Sequence, residues 1–91
     1  MIGMTFSAAL EAVKEGRRIA RSGWNGAGQF VIMAGGYHLD EVRPGSKYAE
    51  AGITGPVTIQ PHLDLRNTQG NMQPGWVPSQ GDLFATDWII V

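Results

Sequence analysis

Two tryptophans sit beside glycine in turn-like stretches, Trp24 in "SGWNGAGQ" and Trp76 in "QPGWVPS". A Trp on a turn is less well buried than one in a strand. Its flat face is a platform for a nucleobase, where stacking contributes about 1–3 kcal/mol per base. Asn25 follows Trp24 and offers a donor and an acceptor to a base edge or a ribose hydroxyl. Gly23, Gly26 and Gly28 let backbone N–H groups come close to phosphate oxygens. These residues fit half of a small-molecule pocket. They fit equally a hairpin with an aromatic lid.

Other chemistry is thinner. His62 and Asp64 lie two apart, within reach of a common ligand, but a hydrolase also needs a nucleophile in register with them. Ser79 is a conceivable nucleophile, yet "SQGD" reads more simply as a helix N-cap with Asp82 three residues on. His38, Asp40 and Glu41 lack any diagnostic metal-ligand spacing. There is no cysteine, which excludes disulfides, thiolate metal sites and a cysteine nucleophile. The expectation is a non-enzyme with no metal and no cofactor.

Seven basic residues against eight acidic ones give a net charge of −1, which does not supply the clustered cations that polynucleotide binding requires. The one dense basic cluster is Arg17, Arg18 and Arg21 with Lys14, suited to a helix C-terminus or to a small anion. No apolar stretch is long enough to span a membrane and the N-terminus lacks a secretory pattern, so a cytosolic setting is expected. Apolar residues make up 43% and charged residues only 16% of the 91, below the roughly 25% charged that is usual. That balance favours apolar surface covered by a second copy of the chain.

The elements that position these residues read as follows. "TFSAALEAVKEG" predicts the clearest helix, with Phe6, Leu10 and Val13 on one face, Thr5 as N-cap and Gly16 past its end. "RRIARSG" is short and extended. "QFVIMAGG" predicts a strand apolar on both faces. Residues 35–60 read as an insertion or long loop with one helical turn in "SKYAEAG", able to cap a pocket or reach a neighbouring subunit. "VTIQPHLDLRN" alternates as one strand interrupted by Pro61, "NTQGN" is a hairpin turn, and "MQPGWVPS" returns extended. A short helix follows Ser79 and "DWIIV" closes as a strand. The expected fold is a single α+β domain over residues 1–91: a small antiparallel sheet, one long N-terminal helix and one short C-terminal helix, assembling as a homo-oligomer.

Taken in order, the helix ending in "KEG", then "GWNG", "PHLD", "PGW", "SQGD" and the C-terminal "DW" resemble the second type of Thoeris anti-defence protein, a family of small phage and prophage proteins. The resemblance covers residues 4–34 and 61–91; the middle segment 35–60 is not part of it. It implies a sponge that binds a cyclic ADP-ribose-type signal made by a TIR enzyme and holds it without cleavage in the host cytoplasm. It also implies a homotetramer with pockets shared between protomers, and some members are described as holding cyclic oligonucleotide signals at separate sites. Carried onto matching positions, Trp24 and Trp76 would stack on adenine or close over ribose, and Asn25 and Asp64 would bond base or ribose. Ser79 and Gln80 would complete the wall. The amides around Gly26, with Arg21, would meet the diphosphate. The competing readings are a small hydrolase of such a signal and an interaction module that binds no nucleotide.

Overall fold

Thr5 and Gly16 set the limits of the first helix. In the computed structural model, which describes residues 3–91, the Thr5 hydroxyl accepts a hydrogen bond from the Ala8 N–H at 3.2 Å and caps α1 (Phe6–Lys14). Gly16 takes a φ of +91°, left-handed backbone that ends the helix. Nine residues are about two and a half turns.

Seven strands and two further helices follow: β1 (Ile19–Arg21), β2 (Phe30–Ala34), β3 (Tyr37–Leu39), α2 (Lys47–Glu50), β4 (Val57–Ile59), β5 (His62–Arg66), β6 (Met72–Pro74), α3 (Gln80–Phe84) and β7 (Trp88–Ile90). Five strands form one sheet in the order β6-β5-β2-β1-β7, every neighbouring pair antiparallel. Ile19 pairs with Val31 and Val31 with Leu65, so these residues share a face with Trp88. That face packs on Ala9 and Val13 of α1, and Ala9, Val13, Ile19, Val31 and Trp88 are fully buried. On the opposite face Phe30, Ile32 and Ile89 are only half-buried.

β3 and β4 pair with each other in a separate two-stranded sheet that continues the β2–β5 ribbon outward. The joint is built on Gly35, at a φ of +79°, where a Cβ atom would run into the Gln60 carbonyl oxygen. Residues 35–60 thus form an arm, with α2 between its two strands, and none of them is buried. The molecule measures 47 × 26 × 22 Å with a radius of gyration of 15.6 Å, against about 12 Å for a compact chain of this length. It exposes 6240 Å², against about 5,200 Å² for a compact monomer of its mass.

The expected α+β fold with one long N-terminal and one short C-terminal helix is corrected on these points. The N-terminal helix is short because its caps stand only eleven positions apart. Among the described residues there are three short helices, covering about a fifth of the chain. The expected central loop is a β-ribbon carrying α2, and the expected single strand from Val57 to Asn67 is two strands split at Gln60–Pro61. The split has a local cause: Pro61 lacks the N–H a ladder needs.

Candidate functional site

The three tryptophans meet. Trp24 comes from the loop after β1, Trp76 from the segment after β6, and Trp88 from β7. Ring centroids lie 6.0 Å apart for Trp24–Trp76, 5.4 Å for Trp24–Trp88 and 6.2 Å for Trp76–Trp88, with interplanar angles of 73–77°. Such edge-to-face pairs contribute about 0.5–1.5 kcal/mol each beyond their buried area. Trp88 is fully buried, whereas Trp24 and Trp76 are half-buried. The last two therefore stand between core and solvent.

One carboxylate ties this cluster together. Asp82 Oδ1 accepts from the Trp24 indole N–H at 3.2 Å and from Arg21 Nη1 at 2.9 Å. Its Oδ2 accepts from the Ser79 N–H at 3.0 Å, and its own N–H donates to Ser79 Oγ at 3.0 Å, a complete capping box on α3. The Trp88 indole N–H donates to the Asp82 carbonyl at 2.8 Å. Burial pushes the Asp82 carboxyl up, but the hydrogen bonds from the Ser79 backbone, Arg21 and Trp24 outweigh it and hold the group below the usual carboxylate range. Asp87 is held low chiefly by its bond from Arg21 Nε (2.8 Å), and its Oδ2 takes the Gly23 N–H (2.8 Å). Asp87 first and Asp82 second raise the Arg21 pKa above its ordinary value.

Trp24 stands between two cavities. One, of about 550 Å³, lies over the open face of the sheet; Ala20, Phe30 and Ile89 form its floor, the Ser22–Gly28 loop its wall, and Arg18 its rim. Arg18 is held over the Phe30 ring at 4.6 Å, and its Nε donates to the Val91 carbonyl at 3.4 Å. The other, of about 210 Å³, is lined by Trp24, Asn25, Gln29, Leu65, Trp76 and Asp82. The first has the size of a ligand pocket, a range of roughly 300–1,000 Å³.

The predicted residues divide accordingly. Trp24, Asn25 and Trp76 line the smaller cavity together. Gly26 and Arg21 line the larger one, with Gly26 packed against Thr68 of the β5–β6 turn. Arg21 already grips two carboxylates. Asp64 lies between the core-packed Leu63 and Leu65, so it points to the sheet's other face. There it is buried, accepts from the Gly75 N–H at 3.2 Å and sits 3.4 Å from His62 Nε2, lining neither cavity. Ser79 is occupied as the α3 cap, and Gln80, exposed, opens that helix. Among the described residues no three His, Asp or Glu side chains group as a metal site, and no helix is long and apolar enough to cross a membrane.

With that geometry established, the chain matches the Thoeris anti-defense 2-like domain over residues 4–91. It belongs to the Thoeris anti-defense 2-like family. A curated relative, "Thoeris anti-defense 2" of Bacillus phage SP01, is 34% identical over 90 residues, covering 97% of this chain and 94% of that protein. Membership ties the chain to a family named for anti-defence against Thoeris. The match runs through the arm as well as through the segments whose motifs carried the resemblance.

Sequence reasoning passed over Asp82 and Asp87 as parts of the site. Asp82 was legible only as a capping residue. Its partners Arg21 and Trp24 stand 61 and 58 positions away, a separation no periodicity reveals. The available signal was compositional: a buried indole N–H and a cation near the core each require an acceptor.

Proposed function

We propose that this chain is a phage anti-defence sponge that binds and sequesters a cyclic ADP-ribose-type signal (glycocyclic ADP-ribose), made by a TIR enzyme, without cleaving it. The observation that carries this reading is Trp24, which lines both cavities, with Trp76 and Asn25 beside it in the smaller one. The adenine stacks on an indole, and Asn25 bonds its edge or the ribose. The diphosphate lies on the other side of Trp24, against the amides of Gly26 to Gly28. Arg18 on the rim of the larger cavity is the better placed cation there, because Arg21 already carries two carboxylates. Sequestration needs affinity rather than proton transfer. Ser79 Oγ accepts the Asp82 N–H as the cap of α3.

The half-buried face with Phe30, Ile32 and Ile89, and a surface larger than a compact monomer's, support an assembly of several copies. We read that assembly as a homotetramer in the host cytoplasm, with pockets completed between protomers. It would let a 91-residue chain enclose a ligand larger than its own interior.

Calorimetric titration with cyclic ADP-ribose isomers tests the reading, followed by denaturation of the complex and chromatography of what is released. Intact ligand is expected. Altered product would make the protein a hydrolase of the signal, and no heat with any isomer would make it an interaction module without nucleotide.

A further inference from the structure

We propose that Asp82 is a positioning residue for ligand capture, fixing the plane of the Trp24 indole before the ligand arrives. The proposal rests on the sponge reading for its ligand and on the geometry alone for the clamp.

Asp82 is held from several directions. Its two carboxylate oxygens take three donors: Arg21 and Trp24 on Oδ1, the Ser79 N–H on Oδ2. Its backbone N–H and carbonyl are tied to Ser79 Oγ and to the Trp88 indole. A group so restrained cannot follow a swinging side chain; the side chain must follow it. The root of the Trp24 loop is fastened from the same network, because Arg21 also grips Asp87 and Asp87 receives the Gly23 N–H. Trp24 lines both cavities, so the tilt of its ring sets the shape of each. Without the carboxylate the ring would have to be ordered by the ligand, which lowers affinity about 3- to 10-fold for one large side chain.

Asp82→Ala removes both acceptor oxygens, so Arg21, the Trp24 indole and the Ser79 N–H all lose their partner. Thr5→Ala loses the cap of α1 alone and leaves the indole bond in place. The experiment compares wild type, D82A, T5A, W24F and D82A/W24F for binding of cyclic ADP-ribose, and follows hydrogen exchange of the indole N–H groups by NMR without ligand. D82A is expected to bind 3- to 10-fold more weakly and T5A within twofold of wild type. D82A should cause no further loss in the W24F background. In ligand-free D82A the Trp24 N–H should lose protection while the Trp88 N–H, bonded to the backbone carbonyl of position 82, keeps it.

Equal weakening by T5A and D82A, or a D82A effect undiminished in W24F, would overturn the positioning role. So would an unchanged Trp24 N–H in D82A. Should D82A not fold, replacing Trp24 with benzothienylalanine, the same shape without the N–H, must give the same 3- to 10-fold loss; full affinity would sink the idea. If wild type binds no cyclic ADP-ribose but D82A still frees the Trp24 N–H selectively, the sponge reading falls and the clamp on the indole stands.

Discussion

Around Trp88 and along the arm the chain uses the same local devices to opposite effect. Both regions hold antiparallel strands and a serine-capped helix, α3 under Ser79 and α2 under Ser46. At Trp88 those devices serve a core in which helix, sheet and three indoles close on one another. In the arm they close on nothing: Tyr37, Tyr48 and Ile53 are 53%, 47% and 42% exposed. An isolated two-stranded ribbon is marginal in water. Capping and pairing therefore shape a segment, while burial against a second layer holds it.

Substitutions should separate the two regions sharply. Trp88→Ala removes a fully buried indole from a small core and should cost about 3–5 kcal/mol, measured by urea unfolding. Tyr48→Ala in the arm should stay within about 0.5 kcal/mol of wild type; a larger loss would mean the arm shares the core's cooperativity.

Acid offers a second contrast. Asp82 and Asp87 have folded pKa values held below the ordinary carboxylate range. Their contribution to stability is therefore fully present above the unfolded value of about 4 and is lost as pH falls toward the depressed folded values. Thermal scans should show the melting temperature falling below about pH 4 in wild type, and falling less steeply in Arg21→Gln, where the carboxylates have lost their shared cation. Identical slopes would show that the Arg21 network does not set the acid limit.

Trp24→Ala should leave a folded protein and weaken cyclic ADP-ribose binding at least about fivefold, since a stacking platform contributes about 1–3 kcal/mol. An arm substitution such as Ile53→Ala should leave that affinity unchanged. The smallest effect is kinetic. Amides of β3 and β4 should exchange by local opening well ahead of those of β2 and β5, although the four strands run on from one another. Equal protection along the ribbon would erase the distinction.

What could be read in advance follows the same division. The caps at Thr5 and Ser79 and the stop at Gly16 are near-neighbour signals, and each corresponds to an observed feature, whereas the alternation around Val57–Arg66 runs across a break between two sheets. The β3–β4 ribbon was not legible: three-residue strands separated by α2 and its loops carry too short a pattern. Within the site, Trp24, Asn25 and Trp76 line one cavity. Asp64 shares the open face with the floor of the larger cavity but stands beside Gly75 and His62, outside its lining. Arg21 reads as a free cation only until folding brings Asp82 and Asp87 beside it.

The joint at Gly35 and Gln60–Pro61 leaves the two ends of the arm adjacent, at the rim of a sheet whose packing lies elsewhere. Such a junction behaves as a splice point, where segments of other lengths can be grafted without disturbing the scaffold beneath. A lineage could thus refashion this appendage freely while the indole platform stays as it is.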